Sequence, residues 1–443
     1  MCLPTPNRSL CGLLNCVFSK KKSVVVVLAL MISTFTLYMY GVLFPNYYFN
    51  IRYLQRSNQT SISNQTSIRN QISTRNQTSI RNQISIRIPI SVQNQQNTVV
   101  STIPNSKMQV VTTGTLTAIS RLKGTTPGPQ SKNFIVYTCG RGGLCGGFGD
   151  RQKGIIAAYL IANITRKNFK IEITTPCNIW MALKAKNKNL VIHKDELKDR
   201  KSTSRYFIDG GGFSLRQEST TSDIRSRFNN DVVYFRTNVD FVRHLNSSKF
   251  YTKELSWMKS MKRHEVYKYI WEKLFTLTEK MQKRLDDFLA KRSDKKLVCA
   301  QVRIGKNPSN MQDPMMTDIN KIGAFWKFFE KYNDASKYRF FVTTDAGKVR
   351  DVGKSKFPGL MLDTQGPIVH VERSRVNDMC GGQEKVILDQ YILALCDILV
   401  ISKSGFGRVG AFRRGTNKDL YLFENGEIVR TDMDTDQFIP GGW

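Results

Sequence analysis

The chain has 443 residues, of which 67 are Lys or Arg and 35 are Asp or Glu, a formal net charge of +32. Residues 1–131 carry 13 of the basic residues and no acidic one, so the remaining 132–443 still holds a net charge of +19. The excess is therefore not confined to a basic tail, and it suits an anionic ligand or an acidic membrane surface. Nucleic acid is the other common reading of such charge, and the amino-terminal segment argues against it.

Ser23 to Phe44, SVVVVLALMISTFTLYMYGVLF, is a run of 22 residues without a charge. At about 1.5 Å per residue it crosses a hydrocarbon core of about 30 Å. Arg8, Lys20, Lys21 and Lys22 precede it, which predicts a cytoplasmic amino terminus. Arg52 and Arg56 follow on the far side and reduce the contrast. The run is longer than a cleaved signal's apolar core and lacks an A-x-A site. The expectation is a single-pass type II protein. Residues 1–22 form its cytoplasmic tail, 23–44 its transmembrane signal anchor, and the bulk lies in the secretory lumen. That compartment is the wrong one for nuclear DNA.

From Asn58 to Arg87 a hexapeptide repeats as NQTSIS, NQTSIR, NQISTR, NQTSIR and NQISIR, with Asn58, Asn64 and Asn76 in glycosylation sequons. Period six also occurs in β-solenoids, but one or two apolar positions per unit bury little. Residues 45–131 therefore read as a polar, disordered stem, ending in a linker that contains Pro89, Pro104, Pro127 and Pro129.

The globular part opens with a strand, Phe134 to Thr138, then a glycine-rich loop from Cys139 to Gly149, then an apolar helix over Ile155 to Ile164. Strand, glycine loop and helix together bring backbone N–H groups to an anion at a helix amino terminus. The loop has no G-K-[ST] and no third glycine for a dinucleotide fingerprint. A plain tight turn fits it equally well, with Asp150 as a helix cap. Strands follow over Phe169–Ile173, Tyr206–Ile208 and Asp231–Arg236. Residues 185–231 are otherwise polar and give no firm pattern. The apolar spacing from His264 to Arg292 predicts one helix on a sheet.

The second half alternates more cleanly. Leu297–Val302 is a buried strand that delivers Arg303 before a turn at Gly305. Ala324–Tyr332 is helical, Tyr338–Thr344 is a strand ending in Asp345, and Gly359–Leu362 is a short strand. Gly382–Leu395 is a helix, Asp397–Ile401 a strand, then Ser404-Gly405-Phe406 open another helix, and Leu420–Phe423 is the last strand. Repeated β-α-β predicts a parallel sheet covered on both faces. The carboxyl ends of its strands share one rim, where ligands bind. An arginine, a carboxylate and a helix amino terminus on that rim fit a nucleotide.

The stretches GGFGDR, VRIG, FVTTD and LCDILVISKSGFG together resemble the fucosyltransferase superfamily that joins α1,2-, α1,6- and protein O-fucosyltransferases. The resemblance covers most of 134–415, with 185–260 unmatched. It implies an α/β GT-B fold of two Rossmann-like domains facing a cleft, 132–260 on the acceptor side and 261–443 on the donor side. It further implies GDP-fucose as donor, a glycan or glycoprotein acceptor, inversion at the anomeric carbon, and no required metal. By resemblance, Arg303 belongs on the GDP phosphates and Asp345 near guanine or ribose. Ser404, Gly405 and Phe406 belong around phosphate and base, and Gly147, Phe148, Gly149 and Asp150 face the cleft. Two departures stand out. Many members have a histidine two residues before the arginine, where this chain has Gln301, as plant-type α1,2-fucosyltransferases do. Lys306 stands where an acidic residue is usual.

Transfer to a hydroxyl calls for a general base, for which Asp150, Asp313 and Asp318 are the candidates, whereas Glu384 and Asp389 read as structural. The run Asp432-Met433-Asp434-Thr435-Asp436 resembles a metal clamp, but lies after all the motifs and reads as a solvated tail. Of six cysteines in 132–443, Cys139, Cys145 and Cys177 flank the glycine loop and are expected to be bridged, and Cys299 and Cys396 are expected to be buried thiols. The other readings the sequence leaves open are a protein O-fucosyltransferase and an inactive, glycan-binding member.

Overall fold

Short apolar runs separated by helices build two parallel sheets in the computed structural model, which describes residues 132–435 and 438 apart from 141–142, 194, 307–312 and 373–375. The anchor expected at 23–44 and the stem at 45–131 lie outside the described residues. Among the described residues no helix is long and apolar enough to cross a membrane.

In chain order the first elements are β1 (Phe134–Cys139), α1 (Phe148–Thr165), β2 (Asn168–Ile173), β3 (Leu183–Ala185), β4 (Ser202–Phe207), α2 (Gly210–Thr221), β5 (Val232–Thr237) and α3 (Val242–Ser247). Then come α4 (Arg263–Leu274), β6 (Phe275–Leu277), α5 (Glu279–Arg292), β7 (Lys296–Val302), α6 (Gly323–Glu330), β8 (Tyr338–Thr344), α7 (Gly347–Lys356) and β9 (Met361–Leu362). The last are α8 (Met379–Leu393), β10 (Ile398–Ile401), α9 (Gly405–Arg414), β11 (Leu420–Glu424) and β12 (Glu427–Arg430).

The first sheet has the order β2-β1-β5-β4 and is parallel throughout. The second has the order β12-β11-β10-β7-β8-β9 and is parallel except for the hairpin of β11 and β12. Helix α1 is buried at most of its positions, which is why its stretch from Ile155 to Ile164 is apolar on nearly all sides rather than striped. It packs on the first sheet and also meets α4 and α9. One apolar core accordingly runs from Ile135 and Tyr137 in β1 to Leu399 and Ile401 in β10.

Four expectations need correction. The segment 264–292 is two helices, because Phe275–Leu277 leaves the helix to pair antiparallel with Leu183–Ala185. The strand expected at 206–208 is the carboxyl end of β4, which starts at Ser202 and pairs with β5. Cys299 and Cys396 are not thiols but a disulfide, with Cα atoms 6.0 Å apart, between β7 and the end of α8. Nor is the acidic tail simply solvated. Asp434 pairs with Lys262 at 2.8 Å and His264 at 3.3 Å, and Asp432 accepts from Asn417 at 2.6 Å.

The three cysteines expected to be bridged are so, as Cys139–Cys145 across the glycine loop and Cys177–Cys380 between the two halves. Asn163 stays inside α1, where its side-chain amide donates to the Tyr159 carbonyl at 2.7 Å.

Candidate active site

The register of the second sheet brings its strand ends level. Gln301 lies opposite Thr343 on one side and Ile401 on the other, so Arg303, Asp345 and the Ser402–Ser404 turn emerge on one rim. The Arg303 amide donates to Ser402 Oγ at 2.8 Å. The Asp345 carboxylate accepts from the amides of Ile304 and Gly305, both at 2.8 Å, and holds Arg303 Nη1 at 2.9 Å. Asp313 takes Arg303 Nη2 from the other side. The guanidinium is thus held between two carboxylates, which fixes its fork and leaves the trio with a formal charge of −1. Gly305 has φ +78°, and a side chain there would run into the Pro314 carbonyl, so only glycine fits the turn.

The opposite wall is the β1–α1 loop, and here the expectation of a simple amide cradle changes. The amides of Cys145 and Gly146 both donate to Glu372 Oε1, the second at 2.6 Å. The Gly147 amide donates to Asp150 Oδ2 at 3.1 Å, and the other oxygen of Asp150 pairs with Lys153 at 2.8 Å. The chain's own carboxylates therefore take the loop amides at 145–147. Arg151 is buried and its pKa is lowered by burial. It ties the loop down by donating to Gly146 O at 3.1 Å, to Val371 O at 3.2 Å and to Thr175 O.

The two walls meet at their helix ends. A Cβ on Gly149 would lie 2.6 Å from the Gly405 carbonyl carbon and the Phe406 nitrogen. Absence of that Cβ lets the amino terminus of α1 touch the amino terminus of α9. Ser404 caps α9 without a side-chain bond to its amides. Each helix start has N–H groups with no partner inside the helix and a partial positive charge. Two helix ends thus turn partial positive charge toward the pocket, with Arg303 beside them.

All nine predicted residues line one pocket: Gly147, Phe148, Gly149, Asp150, Arg303, Asp345, Ser404, Gly405 and Phe406. Of the other base candidates, Asp313 is buried on Arg303. Asp318 caps a turn by accepting from Asn320 at 2.9 Å and is not among the pocket's lining. Glu384 pairs with Lys280 at 2.6 Å and Arg284 at 3.1 Å, as a structural residue does. Asp389, in contrast, does line the pocket. Its carboxylate is buried and accepts from Thr343 at 2.8 Å, Thr364 at 2.6 Å and Lys385 at 3.0 Å.

Sequence reasoning missed the segment Pro367–Val371, which supplies His370 to the lining. It has no regular structure, and its signal was a histidine in a chain that has only four. Among the described residues no three His, Cys, Asp or Glu side chains form a metal set.

No protein-family model matches the chain, and no curated protein does. Solved structures do. A mutant of FUT1 from Arabidopsis thaliana in complex with GDP aligns with TM-score 0.48 and 14% identity over 68% of this chain and 73% of that one. Fucosyltransferase NodZ from Bradyrhizobium aligns with TM-score 0.43 and 14% identity over 68% and 99%. POFUT1 in complex with GDP aligns with TM-score 0.36 and 13% identity over 67% and 99%. Likenesses of this size assign no chemistry to a residue, and the functional reading rests on the pocket.

Proposed function

We propose that the chain is an inverting fucosyltransferase that moves fucose from GDP-fucose to a glycan hydroxyl in the Golgi lumen, α1,2-linked as its Gln301-type motif implies. In this reading the fold is GT-B, with 132–260 the acceptor side, 261–443 the donor side, and residues 23–44 the membrane anchor. The observation that carries it is the contact of the α1 and α9 amino termini at Gly149 and Gly405, beside Arg303 on the strand rim. Charge develops on the diphosphate as the sugar leaves. Preorganised N–H groups and a fixed guanidinium offset it best in a site that excludes water, and they do so without a metal. Ser404, Gly405 and Phe406 hold phosphate and base, and Asp345 sets the turn that aims Arg303. Asp150, one of the carboxylates lining the pocket, is the group to which an acceptor proton would pass, and Lys153 pairs with its other oxygen.

A second reading has its own observation. Arg303 is held on both terminal nitrogens by Asp313 and Asp345, and a chain that never releases it would bind glycans without turnover.

The test is calorimetric titration of the full-length chain with GDP and GDP-fucose, with and without EDTA, beside Arg303→Ala and Arg303→Lys, and GDP release with mixed glycan acceptors. Binding that survives EDTA and weakens at least tenfold in both variants, with turnover in the wild type, is expected. Binding without turnover favours the second reading, and folded protein that ignores GDP overturns the fucosyltransferase reading and leaves the glycan-binding one in front.

A further inference from the structure

We infer that His370 is a catalytic residue of this transfer, donating a hydrogen bond from Nε2–H to an oxygen of the departing phosphate; this rests on the fucosyltransferase reading. Three observations carry it. The first is position. His370 lines the pocket, and its Nε2 is 3.7 Å from where a Cβ of Gly147 would stand. Gly147 is the N-cap of α1, so the ring nitrogen lies at the helix end that meets α9. A phosphate drawn to the two helix ends comes within reach of it.

The second is tautomer. The Glu372 amide donates to His370 Nδ1 at 3.4 Å. A neutral imidazole that accepts at one nitrogen carries its proton on the other. Nε2 is then a donor, which suits a developing negative charge and does not suit removal of the acceptor's proton.

The third is rigidity. The segment that carries His370 is pinned on both sides. Val369 is buried against Gly382 at the start of α8. Beyond the histidine, Arg151 holds the Val371 carbonyl at 3.2 Å, and Glu372 holds the Gly146 amide at 2.6 Å. A ring between two fixed points keeps its aim without being reorganised during the reaction, which is what makes such donors effective.

In the step, the acceptor oxygen bonds to the anomeric carbon. The bond from that carbon to the β-phosphate oxygen breaks, and its electron pair stays on GDP. The acceptor's proton leaves to water through the pocket carboxylate, and His370 keeps its own proton throughout.

Full-length His370→Ala and His370→Gln are compared with wild type in GDP-fucose titration and in turnover. The expected result for His370→Ala is a loss of about 100-fold or more in kcat, the size typical of one removed donor. Its affinity for GDP-fucose should stay within about threefold of wild type. His370→Gln, which keeps an N–H at similar reach, should recover at least tenfold of that loss. Turnover of His370→Ala within about threefold of wild type overturns the inference. So does loss of GDP-fucose binding in step with turnover, which marks a structural role. Failure of the wild type to bind GDP at all overturns the fucosyltransferase reading instead, and this inference with it.

Discussion

Gly149→Ala is the smallest change that separates the two helix ends. A methyl group there begins 2.6 Å from the carbonyl carbon of Gly405. Carbon atoms rest at about 3.5 Å or more, so α1 and α9 must part by about 0.9 Å. The obstacle is backbone rather than a side-chain tip, so it cannot rotate away. Overpacking of this kind costs about 1–3 kcal/mol, and alanine returns up to about 1 kcal/mol through its better helix propensity. The net loss of stability is therefore modest, about 0–2 kcal/mol. The functional loss is larger, because a shift of about 1 Å in a preorganised site can cost about 100-fold in rate. Gly210→Ala is the control, because nothing lies within 4 Å of the position its Cβ would take, and it should leave both stability and GDP affinity unchanged or slightly improved. The assay is urea unfolding together with GDP titration and turnover. A Gly149→Ala chain that binds GDP and turns over like wild type would refute the claim that the helix-end contact builds the site.

The disulfide Cys177–Cys380 closes 203 residues of sequence, for which loop entropy sets a ceiling of about 5 kcal/mol. Paired Cys177→Ser and Cys380→Ser should lower unfolding free energy by about 2–5 kcal/mol in guanidinium, and no change would mean the halves hold together without it. The third prediction concerns pH. Burial, then the neighbouring Arg216, pushes the His244 pKa down to about 4. Between about 6.5 and 4 the unfolded chain binds the extra proton, so this contribution is present above pH 6.5 and fades as pH falls toward 4. His244→Gln should flatten that part of the stability profile, as read by denaturant midpoints at pH 7 and pH 5.

The nine pocket residues named from sequence were legible because each sits beside a strand end or a helix start, where local sequence dictates geometry. Arg303, Asp345 and Ser404 follow short apolar runs that read as buried strands, and the sheet register then brings them together. What escaped depends on distant partners. Leu274 and Leu277 keep helical spacing across a break that only pairing with Leu183–Ala185 creates. Cys299 and Cys396 are 97 residues apart, and nothing local to either says that the other is adjacent. Glu372 takes the amides of a loop more than 220 positions away, so the glycine loop looked vacant in sequence. Edge strand β12 is short and half-exposed, with too little apolar content to announce itself.

The Cys177–Cys380 bridge does not act alone. Gln152 and Gln390 exchange a reciprocal pair of amide bonds at 2.6 Å, and Gln383 donates to the Cys177 carbonyl at 3.2 Å. Together they join the half that carries the first sheet to the half that carries the second. An oxidised chain is therefore tied across its two sheets at two independent places, one covalent and one an amide pair, and loss of either leaves the other in place.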